Sequence, residues 1–116
     1  MPNITVCILT FNSIRTIERC LIPAIRLADE IVVVDSGSVD GGVDFIKSHD
    51  IPVHVRPYET HAKQMNFAIG LANNDWVLCL DSDEFLDELT IGNIRELKAG
   101  LVDDIVAYRI SRHWHV

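Results

Sequence analysis

The sequence predicts an α/β domain built on a mostly parallel sheet flanked by helices. Three observations carry that expectation. Short apolar, β-branched runs alternate along the chain with segments of helical periodicity. The runs Ile4–Leu9, Ile31–Val34 and Trp76–Leu80 are apolar without alternation, as strands buried on both faces are. Polar residues cluster directly behind each of them. At 116 residues, 48% hydrophobic and 23% charged, the chain suits one compact domain with a single core.

Taken in order, Ile4–Leu9 is the first strand, and Ser13 is placed to cap a helix carrying Ile14, Ile17, Leu21 and Ala24 or Ile25. Pro23 removes a backbone donor, so a kink or break is expected near residue 22. Ile31–Val34 is the clearest strand, central and parallel. The turn-rich loop Asp35–Gly41 follows, with Asp40 capping a short helix through Ser48. Val53–Val55 is a brief strand that Pro52 assigns to a start or an edge. A helix from about Thr60 to Leu71 carries Ala62, Met65, Ile69 and Ala72 on one stripe. Lys63 and Asn66 are neighbours on another. After the Trp76–Leu80 strand, a polar helix spans Asp87 to Lys98, with Asp87 and Glu88 at its electropositive start. Ile105–Ile110 is the last strand.

In open α/β sheets, ligands bind beyond the carboxyl ends of the strands. Thr10-Phe11-Asn12, Asp35-Ser36-Gly37-Ser38 and Asp81-Ser82-Asp83 all fall at such ends. The last triplet is the most informative. If the backbone stays extended there, Asp81 and Asp83 share a side, and two anionic oxygen donors suit a hard divalent cation on a diphosphate. Strand ends also enter solvated loops where acids are common, so the triplet acquires weight from its company. Asp35 at its strand end can accept from a base imide or simply initiate a turn. Gly37 permits positive φ. His113 and His115 have metal-ligand spacing, though paired histidines at a chain end usually carry no role. His54 and His61 show no obvious partner.

Composition narrows the partners. A net charge of −7 with no basic run excludes nucleic acid. Cys7, Cys20 and Cys79 are three widely spaced cysteines in or beside apolar runs, expected as buried free thiols in a reducing cytoplasm. No signal peptide is visible and no apolar run is long enough to span a membrane. Peripheral attachment to the inner membrane face and self-association into a homo-oligomer stay open.

Together, Thr5–Asn12, the V-V-D-S-G-S-x-D-G of Val32–Gly41, Lys63–Asn66 and the W-V-L-x-L-D-S-D-E of Trp76–Glu84 resemble family 2 glycosyltransferases, inverting enzymes with a GT-A fold. The Asp-Ser-Asp-Glu ending, with Lys-Gln-Met-Asn before it, looks most like the bacterial lipopolysaccharide-core glucosyltransferase branch. The resemblance implies a Rossmann-like nucleotide-binding half and a nucleoside-diphosphate sugar donor, UDP-linked, with a glycan or lipid-linked saccharide acceptor. Carried over by position, Thr10 and Asp35 hold the base, with Asn12 and Ser36 beside them. Lys63 and Asn66 approach the nucleotide from the helix, and Asp81 lies near the ribose and sugar; Glu84, read on its own after the acid pair, can bond a ribose or brace the loop. Asp83, with Asp81, binds Mg²⁺ or Mn²⁺. Gly42 stands where the family commonly has Thr. Family members continue past the position of Val116 with the acceptor side and the catalytic carboxylate. No catalytic base is therefore assigned, and the chain is expected to be the donor-binding part, truncated at its C-terminus.

Two other readings stand beside this one. A phospho-accepting receiver domain needs an acidic pair after the first strand, where this chain has Thr10-Phe11-Asn12. A catalytically silent nucleotide-sugar-binding or assembly module would use the same pocket without transferring anything.

Overall fold

A computed structural model describes residues 3–99 and 107–109. The chain folds into β1 (Ile4–Thr10), α1 (Ile17–Leu27), β2 (Glu30–Asp35), α2 (Gly42–Lys47), β3 (Val53–Val55), α3 (His61–Leu71), β4 (Trp76–Asp81), α4 (Glu88–Ala99) and β5 (Ala107–Arg109). The strands form one sheet in the order β3-β2-β1-β4-β5. Every pairing is parallel, with Leu9 opposite Val34 on one side and Asp81 on the other. β1 is buried along its whole length and β3 lies at an edge, as its preceding proline requires.

Strand parity divides the core into two layers. Ile4, Val6, Ile8, Val33, Trp76, Leu78 and Leu80 pack against Ile17, Leu21 and Ala24 of α1, Ile46 of α2 and Ile91 of α4. Cys7, Leu9, Val32, Val34, Val77 and Cys79 face the other way, onto Met65 and Ala68 of α3. All three cysteines are buried free thiols. No helix among the described residues is long and apolar enough to cross a membrane.

Several local expectations need correction. Ser13 does not cap α1, which begins at Ile17. Its carbonyl instead accepts the Thr16 and Ile17 N–H groups in a turn ahead of the helix. Pro23 lies inside an unbroken α1. One missing donor is outweighed where Cys20, Leu21, Ala24 and Leu27 are all buried against the sheet. The residue preceding α2 is Gly41, at φ 90°. Asp40 acts one step earlier, accepting from Ile14 N at 2.9 Å and Gly42 N at 2.9 Å. Those N–H groups hold its carboxyl below its usual range and tie the β1 loop to the start of α2. A Cβ on Gly42 would meet Asp40 Oδ1 at 3.1 Å, so Gly42 fits that clasp closely.

The buried line of α3 is Gln64, Met65 and Ala68, while Ala62 is exposed. Met65 of the expected stripe is buried and Ile69 and Ala72 pack against the same layer, so only Ala62 departs and Gln64 and Ala68 join. A polar Gln joins the core side because its amide is hydrogen-bonded there. At the start of α4, Asp87 Oδ1 accepts Thr90 N at 2.7 Å, a helix-entry role as expected. Only residues 107–109 of the last strand are described, and His113 and His115 lie outside the described residues.

Candidate functional site

The order β3-β2-β1-β4-β5 puts the reversal of strand order between β1 and β4, and open α/β sheets bind ligands at that point. A cavity of about 340 Å³ opens there. Thr10, Phe11 and Ser13 line it from the end of β1, and Ser36 from the end of β2. Tyr58, His61 and Gln64 come from α3 and its approach, and Asp81, Ser82 and Asp83 from the end of β4. Phe11 and Tyr58 are each 56% exposed, so the cavity offers aromatic surface beside carboxylates. That pairing suits a ligand with a flat ring at one end and, at the other, anionic groups carried on a divalent cation.

Asp81 ends β4 on the parity of Val77 and Cys79, the face covered by α3. Its Oδ1 lies 3.0 Å from His61 Nε2, in the first residue of that helix. The main chain of Asp81 is clasped from below. Its N–H donates to Glu84 Oε1 at 2.8 Å, and its carbonyl accepts Glu84 N at 2.9 Å. The Cys20 thiol also donates to that carbonyl, at 3.7 Å. Burial, then the charges of Glu84, Asp83 and Asp81, push the Cys20 thiol up to about 12, which keeps it a donor. Ser82 N bonds Leu9 O at 2.9 Å, and the Ser82 and Ser13 hydroxyls meet at 2.5 Å. The acid-bearing loop is therefore stitched to β1.

The backbone does not stay extended through the triplet. The strand ends at Asp81, and the Glu84 N to Asp81 O bond closes a turn over Ser82 and Asp83. The two acids reach the cavity through that turn rather than through strand parity.

Other sequence-derived residues occupy different settings. Asp35 is 1% exposed, and its carboxylate accepts from Gly37 N at 2.8 Å, Ser38 N at 2.7 Å and the Ser38 hydroxyl. It braces its own loop, where Gly37 takes φ 111°. Asn12 links that loop to the first: its N–H donates to Ser38 Oγ and its Oδ1 accepts Val39 N. Glu84 is buried beneath Asp81. Lys63 and Asn66 are exposed and outside the cavity lining, with Lys63 Nζ 3.0 Å from Glu59.

The side chains that sequence reasoning missed are His61, Gln64, Phe11 and Tyr58. Gln64 is buried and fully used: Oε1 accepts from Arg56 at 2.8 Å, and Nε2 donates to Arg56 O and Ser36 Oγ. Its signal was spacing, because His61, Gln64, Met65 and Ala68 stand at i, i+3, i+4 and i+7.

As a cation site, Asp81 and Asp83 offer hard oxygen donors among the residues that line the cavity. The described residues hold no group of three or more His, Cys, Asp or Glu that could hold a metal ion unaided. The donor set fits a cation that takes one or two carboxylates and completes its shell with phosphate and water, the habit of Mg²⁺.

Known proteins share this framework. A glycosyltransferase of Rickettsia bellii is 35% identical over 110 residues, 94% of this chain and 37% of that protein. The lipopolysaccharide core biosynthesis glycosyltransferase LpsC of Rhizobium meliloti is 34% identical over 104 residues, 85% of this chain and 35% of LpsC. The chain thus spans little more than a third of these relatives. In fold it is similar to glucosyl-3-phosphoglycerate synthase from Mycobacterium tuberculosis, crystallised with Mn²⁺, UDP and glucosyl-3-phosphoglycerate. The TM-score there is 0.63 at 21% identity, over 72% of this chain and 36% of that one. The model of the family described as glycosyl transferase family 2 matches residues 5–113, and the chain belongs to that family.

Proposed function

We propose that this chain forms the donor-binding part of a metal-dependent, inverting glycosyltransferase that takes a UDP-linked sugar. The carrying observation is the cavity at the β1/β4 reversal, with Asp81, Asp83 and the rings of Phe11 and Tyr58 among its lining. In this reading the rings and Thr10 receive the nucleobase. Asp35 and Asn12 hold the loops that shape that end, so Asp35 serves the base through its loop. Asp81 and Asp83 hold Mg²⁺ or Mn²⁺ against the diphosphate. Bound there, the cation offsets negative charge on the departing nucleoside diphosphate.

The acceptor side, including the base that deprotonates the attacking hydroxyl, is assigned to sequence matching the remainder of the longer relatives. Membership of the family and the likeness to LpsC support a saccharide acceptor of the lipopolysaccharide-core kind. Calorimetric titration with UDP, GDP and ADP, each with and without Mn²⁺, tests the donor assignment. The expected result is metal-dependent binding of UDP that Asp83→Ala removes. Equal binding of all three with no metal effect would refute it. Hydrolysis of a UDP-sugar by the chain separates an enzyme from a silent binding module.

A further inference from the structure

We propose that His61 is a positioning residue, whose imidazole fixes the Asp81 carboxylate in the orientation that receives a divalent cation together with Asp83. The inference rests on the donor-site reading above and assigns a role to a side chain that the sequence patterns left without one.

The position of His61 is well determined. Thr60 precedes α3 in extended geometry, its hydroxyl accepting Lys63 N at 3.1 Å and its carbonyl accepting Gln64 N at 3.0 Å. That cap makes His61 the first residue of the helix. One turn on, Gln64 is anchored by Arg56 and Ser36, so the first turn of α3 is pinned against the strand ends. From the other side, the main chain of Asp81 is held by Glu84 and Cys20. Those bonds hold the Asp81 main chain, and the 3.0 Å approach of His61 Nε2 to Oδ1 restrains its side chain.

Solvent exposure argues against a purely structural purpose. The His61 side chain is 43% exposed and that of Asp81 25%, and pairs so wet contribute little to folding. A carboxylate ordered before the ligand arrives, however, loses less freedom on binding. Hydrogen-bond partners of metal-binding carboxylates commonly set metal affinity in this way.

The test compares the unmutated chain with His61→Ala and His61→Gln, whose amide nitrogen can replace Nε2. UDP is titrated calorimetrically in Mn²⁺ and again in EDTA, and the readout is the ratio of the two affinities. His61→Ala is expected to lower that ratio by about 10- to 100-fold, and His61→Gln to restore most of it. A ratio unchanged in His61→Ala, or equally low in both variants, would overturn the positioning role. If the unmutated chain binds UDP equally with and without Mn²⁺, the donor-site reading itself fails and this inference with it. An Mn²⁺ effect undiminished in His61→Ala removes the inference alone.

Discussion

Asp35 and Asp81 look alike on paper: each ends a buried parallel strand, and each is followed by Ser. The fold gives them opposite work. Asp35 is buried, and its carboxylate accepts from the N–H groups of Gly37 and Ser38 and the Ser38 hydroxyl. Asp81 is partly exposed at the cavity, and the group that meets its carboxylate comes from a different element, 20 residues earlier. The difference lies in the residues after each Ser. Gly37 adopts φ 111°, which curls the loop back onto Asp35. After Ser82, Glu84 satisfies the Asp81 main chain, while the Asp81 carboxylate meets His61 of α3. One strand-end acid braces its own loop; the other meets a group from a different element at the cavity.

That contrast can be broken experimentally. The largest effect is expected from Asp35→Ala, which removes a buried carboxylate and strands two backbone N–H groups and a hydroxyl in a part-buried loop. It should cost about 3 kcal/mol of stability in urea denaturation, whereas Asp81→Ala should cost less than about 1 kcal/mol. Similar losses at both positions would erase the distinction.

Per pH unit, a smaller effect concerns the thiol beneath Asp81. Burial, with Glu84, Asp83 and Asp81 nearby, raises Cys20 from 9.0 to about 12. The folded chain then binds the thiol proton more tightly than the unfolded chain. Its contribution is complete below about pH 9 and is lost as pH rises towards about 12. The slope is at most about 1.4 kcal/mol per pH unit for this thiol. Denaturation across that range should show the fall, and Cys20→Ala should flatten it. An unchanged pH slope in that variant would leave Cys20 with no part in the alkaline response.

The smallest effect is expected at Gly37. Its φ of 111° strains any residue with a Cβ, although nothing lies within 4 Å of one built there. Gly37→Ala should cost about 1 kcal/mol and loosen the Asp35 brace without touching the Asp81 side. Full retention of stability would mean that the loop has another acceptable path.

Much of this was legible in the residues. Unbroken apolar runs such as Ile31–Val34 admit little except strands buried on both faces, and polar clusters behind them mark one edge of the sheet. Strand parity would also have placed Asp81 with Val77 and Cys79, but only once a helix is known to cover that face. The phase of α3 was harder to read. Ala62 resembles a core residue and Gln64 does not, yet Ala62 is exposed and Gln64 is buried because Arg56 and Ser36 satisfy its amide. Shifting the stripe to His61, Gln64, Met65 and Ala68 brings His61 to the strand ends and turns Lys63 and Asn66 outward. The turn over Ser82 and Asp83 was hidden for a related reason. It depends on the buried Glu84 reaching back to Asp81, and the acidic motif leaves Glu84 equally fit for a ribose or for that brace.

The most direct measurement is paramagnetic broadening of backbone amide signals by Mn²⁺ in the presence of UDP. Loss of signal is expected to centre on residues 81–84, with Thr10–Ser13 and His61–Gln64 next, and signals should stay sharp for Val53–Val55 and for the Asp29–Glu30 end of the sheet. Broadening centred on the Asp35–Gly41 loop, or spread evenly over the acidic surface, would contradict a cation held by Asp81 and Asp83.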